Sequence, residues 1–372
     1  MDEAINLDDV GMMSELDPSG MLPAVEDFPQ QCREALRLGA EVEGLPEAAG
    51  LERVAVLGMG GSGISGDVIK ALLEQDMGMP VSVHKFYTIP KYYGPETLVF
   101  AVSYSGNTEE TLAAEGQAAA QGCRLVAVTS GGTLLERARA GGYPAVLLPG
   151  GFQPRAALGY LSLSIGTLLE RMGLAPGFAQ AAEGAIQHLQ GKRADWSRAQ
   201  PERSNFAKQL ARRLAGYVPV IYGSDGLLAV VVYRWKCQLN EIAKVPAFCN
   251  VLPELDHNEI VGWKQLPDLT RRVEVIFLVE RDTHPRVARR VEITADLIRD
   301  NLGGVSVLHI GGDSALEKFF GAAYLGDFVS CYLALLNRED PTPVERIAEL
   351  KRRMAEEPGT AETAGNDGGE NI

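Results

Sequence analysis

Short apolar runs alternate with helical stretches along residues 51–150. The apolar runs predict buried strands, and the stretches with apolar residues every three or four positions predict the helices between them. Strands are predicted at 54–57, 81–86, 97–102, 124–128 and 145–148, and helices at 64–73, 109–121 and 134–140. Strands that alternate with helices form a parallel sheet covered on both faces. This segment therefore predicts one doubly wound α/β domain.

The same alternation returns after a helical interruption. Residues 151–215 are punctuated by Pro176 and Pro201 and carry helical patterns at 156–172 and 175–215, which predict a connection between two domains. Beyond it, strands are predicted at 218–222, 273–279 and 305–310, with helices from about 227 to 244, at 285–301 and at 316–336. Both halves run strand, Gly/Ser loop, helix. We therefore expect a second doubly wound parallel-sheet domain over residues 216–336.

The two ends of the chain lack the alternation of strands and helices that is predicted for the domains. Residues 1–50 form an acidic lead with one helix expected at about 28–38, and residues 337–357 hold a C-terminal helix that starts near Val344. The tail, residues 358–372, is rich in Gly, Ala, Glu and Asn, a composition typical of disorder. The lead and the tail are therefore expected to be peripheral to the two domains.

Composition excludes several classes of protein. The 372 residues are 46% hydrophobic and 23% charged, which suits a globular protein of two domains. The net charge of −14 repels a phosphate backbone, so we expect no nucleic acid partner. No run reaches 18 apolar residues and the first residues do not resemble a signal peptide, so we expect a cytoplasmic protein with no membrane partner. Five scattered cysteines and five scattered histidines show no metal-ligand spacing, and we expect no metal.

A glycine-rich loop follows the first predicted strand. Gly58, Gly60 and Gly63 match the spacing of the dinucleotide fingerprint. That fingerprint also needs an acidic residue at the end of the second strand, where this chain has His84 and Lys85. A nicotinamide or flavin cofactor is therefore disfavoured. The alternative is a tight strand-to-helix turn that requires glycine whatever it binds.

A loop rich in hydroxyl groups follows the strand predicted at 97–102. Ser103, Ser105 and Thr108 precede a helix, whose first-turn amides attract anions. The chain lacks the Gly-Lys-Ser/Thr of a nucleoside-triphosphate loop, so the loop suits a single phosphate ester. The competing interpretation is that Thr108 only caps the helix while the serines satisfy backbone groups.

Taken together, these loops resemble a known family. The segments 57–65 and 101–111 resemble the sugar isomerase (SIS) domain, in which the two loops hold a sugar phosphate. Five further segments resemble the bifunctional phosphoglucose/phosphomannose isomerase family within it: 154–160, 238–244, 255–260, 326–330 and 340–344. The resemblance runs from about residue 50 to 353. It implies two SIS-type domains, no cofactor, and an active site between them at the carboxyl ends of strands.

The resemblance also assigns roles to single residues. Aldose–ketose isomerisation through a cis-enediol needs a base, a cation for the oxyanion and an acid/base that opens the sugar ring. The resemblance implies that Glu241 is the base, Arg155 the cation, and His257 the ring-opening group, supplied by the neighbouring subunit of a homodimer. Lys351 assists at the ring. The implied substrate-binding residues are Gly60, Gly61, Ser62, Ser103, Ser105, Thr108 and, near the substrate's C2, Thr342.

The residues alone leave these roles open. On its helix, Glu241 lies about 100° from the apolar stripe of Trp235, Leu239 and Ile242, so it faces either solvent or a cleft. Arg155 follows a proline and would equally suit a surface loop. The substrate expected from the resemblance is glucose 6-phosphate, with mannose 6-phosphate, converted to fructose 6-phosphate. The alternatives are a sensor that binds a sugar phosphate without turnover, an SIS isomerase of amino-sugar or pentose phosphates, and a nicotinamide-dependent dehydrogenase.

Overall fold

The computed structural model describes residues 5–356, so the tail at 358–372, expected to be disordered, lies outside the described residues. Its strands are β1 (Arg53–Leu57), β2 (Val81–His84), β3 (Thr97–Val102), β4 (Arg124–Thr129), β5 (Ala145–Leu147), β6 (Val218–Ser224), β7 (Phe248–Leu252), β8 (Val273–Glu280) and β9 (Gly304–Ile310). Its helices are α1 (Val10–Leu16), α2 (Met21–Glu26), α3 (Phe28–Ala40), α4 (Gly60–Met77), α5 (Glu109–Ala120), α6 (Gly132–Gly141), α7 (Leu158–Arg171), α8 (Phe178–Trp196), α9 (Phe206–Leu214), α10 (Leu227–Glu241), α11 (Pro267–Thr270), α12 (Pro285–Arg299), α13 (Ala315–Leu336) and α14 (Glu345–Ala355).

The first sheet has five parallel strands in the order β2-β1-β3-β4-β5. Its central strands are buried along almost their whole length, which is why they read as continuous apolar runs. The chain leaves β1 towards β2 on one side and then continues through β3 on the other. The connections therefore diverge at the carboxyl ends of β1 and β3, where Leu57 pairs with Ala101. Open sheets of this order bind ligands in the crevice at that point.

The second sheet repeats this arrangement with four parallel strands in the order β7-β6-β8-β9. The predicted fold of two parallel-sheet α/β domains is confirmed. The sequence pattern did not predict β7, because β7 is an edge strand whose residues are mostly half-buried. Phe248, at its start, is 59% exposed, and Asn250 interrupts the apolar pattern.

The N-terminal lead contributes to the core rather than lying at its periphery. It contains α1, α2 and α3, of which the sequence pattern predicted only α3. The two missed helices are short and depend on caps: Asp9 accepts a hydrogen bond from the amide of Met12, and Asp17 from the amides of Met21 and Leu22. A helix of six or seven residues has too few turns to show a clear period.

The long helix α13 forms the centre of the second half. It packs against α8, α9 and α10. Among residues 5–356 it is the one helix long and apolar enough to cross a membrane, but 94% of its most apolar window is buried inside the protein. Gly326 lets α10 approach closely: the indole of Trp235 lies against it and donates a hydrogen bond to the Ala322 carbonyl at 2.8 Å.

Candidate functional site

The glycine-rich loop lies at the carboxyl end of β1, and α4 begins within it at Gly60 rather than at residue 64. A Cβ at Gly58 would lie 2.9 Å from the Val102 carbonyl, and one at Gly61 would lie 2.7 Å from the Pro154 carbonyl. Gly60 has a φ of +52°. Close backbone approach therefore explains these glycines. The first turn of α4 lies at the crevice and carries no acidic side chain. No negative charge therefore weakens the attraction of its free amides for an anion.

The hydroxyl loop meets the glycine-rich loop at the same crevice. The Ser62 hydroxyl accepts a hydrogen bond from the Tyr104 amide at 3.3 Å, which joins the two loops. Ser103 is buried, and its hydroxyl bonds to that of Thr108 at 2.9 Å. Thr108 precedes α5, but its side chain makes no capping bond to the first turn, so that half of the purely structural interpretation is wrong. The other half holds, because Ser103 and Ser105 accept hydrogen bonds from the amides of Thr108 and Asn107, at 3.4 and 3.3 Å. Ser105 is exposed, and its hydroxyl hydrogen remains available to a ligand.

A third loop, missed by the analysis of the sequence, fixes the shape of the hydroxyl loop. The Asn107 carboxamide oxygen accepts hydrogen bonds from the amide and hydroxyl of Thr133, at 3.0 and 3.1 Å. The Ser130 hydroxyl donates to the Tyr104 carbonyl at 2.6 Å. Gly106 has no room for a side chain, because a Cβ there would lie 1.8 Å from the Gly131 carbonyl. The loop after β4 thus fixes the conformation of the loop after β3 through these hydrogen bonds and this close contact.

Arg155 is buried, in contrast to the surface position that the sequence also allowed. It lies in the short 3-10 turn Pro154–Ala156, which packs against Gly61, and is 4% exposed. Its guanidinium donates to the carbonyls of Pro341 and Thr342, the first at 3.2 Å, and lies 3.9 Å from a Glu241 carboxylate oxygen. Burial lowers the pKa of Arg155, and the charge of Glu241 opposes that shift. The guanidinium thus joins the glycine-rich loop to the end of α10.

Glu241 faces a cleft. Its side chain is 30% exposed and lies in the wall of a cavity of about 600 Å³. The cavity is lined by residues from the end of α10 and from the segment that leads into α14, among them Lys244, Asp340, Pro343, Val344 and Ile347. Of the two orientations that the helical pattern left open, the structure shows the one compatible with catalysis.

A buried polar network supports this arrangement from behind. Arg234 on α10 forms an ion pair with Asp327 on α13 at 2.7 Å, and Gln238 donates to the same carboxylate at 2.8 Å. Arg234 also donates to the carbonyl of Arg155 at 3.2 Å. The analysis of the sequence gave these residues no role. Their signal was the presence of charged and amide side chains within two apolar helical runs.

Two polar atoms of the site are buried without a partner. They are Nε of Arg155 and the hydroxyl oxygen of Thr342. The amide of Thr342 donates to Asp340 at 2.9 Å and its carbonyl accepts from Arg155, so only the side-chain oxygen is unpaired. Buried polar groups are nearly always hydrogen-bonded in native proteins. Both atoms are closed off from solvent in this structure, and neither residue lines the cavity beside Glu241.

His257 and Lys351 lie on the surface of the single chain. His257 belongs to the turn Glu254–His257, which is anchored by Asp256 to Arg290 at 2.9 Å and to Thr294 at 2.8 Å. Lys351 is exposed on α14. Within residues 5–356 neither side chain makes a hydrogen bond or ion pair, and the structure does not bring them to Glu241 in one chain. No cluster of three or more His, Cys, Asp or Glu able to hold a metal occurs in this range.

Comparisons with known proteins identify relatives of both domains. Residues 49–139 match the SIS domain, and residues 203–354 match the bacterial phospho-glucose isomerase C-terminal SIS domain. A bifunctional phosphoglucose/phosphomannose isomerase of Caldicellulosiruptor bescii is 39% identical over 336 residues, 90% of this chain and 99% of that protein. One of Aquifex aeolicus is 36% identical over 300 residues, 80% of this chain and 88% of that protein.

A solved structure shares the fold. The crystal structure of a glucose-6-phosphate isomerase like protein from Thermus thermophilus superposes with a TM-score of 0.59 at 19% identity, covering 91% of this chain and 97% of that one.

Proposed function

This chain belongs to the bifunctional phosphoglucose/phosphomannose isomerase family, and we propose that its cleft interconverts glucose 6-phosphate and mannose 6-phosphate with fructose 6-phosphate. It is a sugar-phosphate isomerase, as its relatives are. One carboxylate serves both aldoses because they differ only at C2 and give the same cis-enediol, provided that the bound sugar rotates about its C2–C3 bond.

The two loops of the first domain hold the phosphate. The amides at the start of α4 and the hydroxyls of Ser105 and Thr108 supply donors, while Ser62 and Ser103 fix the loops through their internal bonds. Gly60 and Gly61 let backbone, rather than side chains, face the ester. Glu109 and Glu110 in the first turn of α5 offset the attraction of that helix for an anion, so the α4 amides provide more of the binding.

Glu241 transfers the proton. In the forward direction its carboxylate removes the hydrogen from C2 of the open-chain aldose, and the electrons of that C–H bond form the enediolate. The oxygen on C1 takes up the proton that the C2 hydroxyl gives up, the proton held by Glu241 goes to C1, and the carbonyl that forms at C2 completes the ketose. Arg155 stabilises the oxygen that carries the developing negative charge, because its guanidinium is buried and lies 3.9 Å from the Glu241 carboxylate. Thr342 faces the C2 region with its unpaired hydroxyl.

His257 opens the sugar ring from the neighbouring subunit of a homodimer, with Lys351 assisting at the ring. The support for a contribution across an interface is that the His257 turn is rigidly anchored to α12 yet presents the imidazole at the surface of its own chain. The same proposal places the enzyme in the cytoplasm, where hexose phosphates are metabolised.

The observation that carries this proposal is the approach of the buried Arg155 guanidinium to within 3.9 Å of Glu241, whose side chain lies in the wall of the cavity. The test is a coupled assay of the full-length protein with glucose 6-phosphate and mannose 6-phosphate, with and without a chelator. We expect turnover of both, insensitive to the chelator, and its loss in Glu241→Gln. The matched control is Glu292→Gln, since Glu292 is 65% exposed on α12 and should not affect turnover.

Other outcomes would favour the alternatives. Tight binding of both hexose phosphates without turnover by the intact dimer would identify a sensor. Turnover confined to an amino-sugar or pentose phosphate would identify a different isomerase. Either result would contradict the proposed activity.

A further inference from the structure

Lys244 has a strained backbone in the wall of the catalytic cavity. It follows the end of α10, three residues after Glu241, and has a φ of +59°. A residue with a Cβ is uncommon in this region of conformational space, and such strain persists only where the surroundings impose it. Within residues 5–356, Leu266 and Arg338 show a similar φ, but neither of them lines the cavity.

The ammonium group of Lys244 holds three main-chain carbonyls. It donates to the Glu241 carbonyl, to the Pro343 carbonyl at 2.5 Å and to the Pro341 carbonyl at 3.4 Å. The first of these carbonyls is at the end of α10, where no later helical amide is available to pair with it. The other two belong to the segment that leads into α14. The side chain thus ties the helix that carries Glu241 to residues 341–343.

Arg155 binds the same segment and shares the Pro341 carbonyl with Lys244. Its guanidinium donates to the carbonyls of Pro341 and Thr342. We call this arrangement of Lys244 and Arg155 on the carbonyls of residues 341–343 the two-cation clamp. Burial and the nearby charge of Arg155 both lower the pKa of Lys244. Two neighbouring cations repel each other, and this repulsion costs free energy unless carbonyl dipoles and the Glu241 carboxylate compensate it. The two-cation clamp therefore keeps its geometry only when all of these partners are present.

We propose that Lys244 is a positioning residue for the isomerisation: through the two-cation clamp it fixes Glu241 relative to Thr342. This inference rests on the proposed function, since it assumes that Glu241 moves the proton at C2 and that Thr342 lies near that carbon. Lys244 itself donates to main-chain oxygens and takes no part in the proton transfer. Its loss should disturb the transition state more than binding, because the phosphate loops lie on the first domain.

The experiment compares three variants of the full-length protein. Lys244→Met removes the ammonium and keeps a side chain of similar length at the strained position. Lys244→Arg keeps a cation. Lys236→Met is the matched control, because Lys236 lies on the same helix and its ammonium lies over the Tyr233 ring, 5.8 Å from its centre. For each we would measure kcat and KM with glucose 6-phosphate and mannose 6-phosphate, and the thermal midpoint.

For Lys244→Met we expect kcat to fall about tenfold or more with both substrates while KM stays within about twofold. The ratio of kcat/KM between the two aldoses should shift by about threefold or more, since they differ at the carbon that Thr342 faces. Lys244→Arg should recover most of the lost kcat, and Lys236→Met should match the wild type.

Two results would overturn the inference. One is unchanged kcat and an unchanged substrate ratio in Lys244→Met. The other is a lowered thermal midpoint with equal losses in both Lys244 variants, which would indicate a purely structural role. In either case Glu241→Gln separates the two proposals: its inactivity would leave the proposed function intact, whereas its full activity would remove the basis for both.

Discussion

Arg155 connects three parts of the site. It touches the glycine-rich loop through its turn, residues 341–342 through its guanidinium and Glu241 through its charge. Because Arg155 is buried, replacing it leaves two carbonyls and the Glu241 carboxylate without their partner. We therefore expect the replacement to lower both the free energy of unfolding and the catalytic rate.

Arg155→Met should therefore lower kcat by about 10²–10³-fold, the cost typical of losing one donor to a developing oxyanion. Its free energy of unfolding should fall by about 1–3 kcal/mol. Steady-state kinetics and denaturant unfolding check the two effects. Arg33→Met is the control, since Arg33 makes an exposed ion pair with Glu183 at 3.7 Å and should change neither value appreciably. Wild-type kcat in Arg155→Met would exclude the oxyanion role.

The hydroxyls of Ser105, which is exposed, and Thr108, which is half-buried, are expected to contribute to substrate binding rather than to turnover. Ser105→Ala and Thr108→Val should each raise KM for the sugar phosphate about tenfold or more, because each removes a hydrogen bond to a charged ester. Their effect on kcat should be smaller, since the phosphate does not react. Ser14→Ala, at an exposed serine of α1, is the control for the assay. An unchanged KM in both loop variants would mean that the phosphate binds elsewhere.

At the scale of single residues, the resemblance named two residues that the structure brings together, but not the residues that support them. The resemblance picked out Glu241 and Arg155, and the structure places them 3.9 Å apart. Lys244, Arg234 and Asp327 were not assigned, although they hold those two residues in place. Support of this kind depends on contacts between distant segments, such as Arg234 with Asp327, and a pattern along one helix cannot show it.

Among the elements, α10 and α13 set the position of Glu241. The two helices approach closely at Gly326, where a Cβ would lie 2.5 Å from the indole nitrogen of Trp235. That indole is fixed by its bond to Ala322 and is fully buried, so it has little freedom to move aside. The position of the Glu241 carboxylate thus depends on a glycine in a different helix.

Gly326→Ala should destabilise the protein by about 1–3 kcal/mol through overpacking, and it should also lower kcat because α10 is displaced. Thermal unfolding and kinetics check this. Gly191→Ala is the matched control: this glycine lies in α8, and a Cβ there would meet nothing within 4 Å. Its free energy of unfolding should rise by about 0.5–1 kcal/mol, because alanine reduces the conformational entropy of the unfolded chain. Equal stabilities of the two variants would contradict the packing argument.

The elements differed in how well the sequence predicted them. Strands buried on both faces, such as β3 and β4, were predicted to within one residue at either end, because burial requires an unbroken apolar run. The edge strand β7 and the capped helices α1 and α2 were missed, because partial exposure and short length weaken the period. The start of α4 was placed four residues late, because four of its first seven residues are glycines that usually end helices.

At the scale of the whole molecule, charge opposes binding of the substrate. The net charge is −14, and a hexose phosphate is an anion. The opposition is weak because salt screens charges beyond about 8 Å at physiological ionic strength. Arg155 and Lys244 lie close to Glu241, but the cavity wall also carries Glu339, Asp340 and Glu345. The attraction for the anion must therefore come from the amides at the start of α4 and the loop hydroxyls rather than from the charge of the cavity wall.

The proposed dimer makes a prediction that no monomeric enzyme shares. Glu241→Gln and His257→Ala should each be inactive alone, whereas dimers formed from both should regain one complete site. If the subunits mix at random, half of the dimers are mixed and each has one working site of two, so activity should reach about a quarter of the wild type. Coexpression with two different tags measures this. Failure to recover activity in purified mixed dimers would show that His257 serves its own chain or none.

The central claim is that Glu241 removes the hydrogen at C2 of an aldose 6-phosphate held in the crevice of the first domain. The most direct measurement follows the loss of deuterium from C2-deuterated glucose 6-phosphate by NMR, in the wild type and in Glu241→Gln, at saturating substrate. The account predicts that Glu241→Gln binds the substrate normally and loses deuterium about 10²–10⁴-fold more slowly. Loss of deuterium at the wild-type rate in that variant would contradict it.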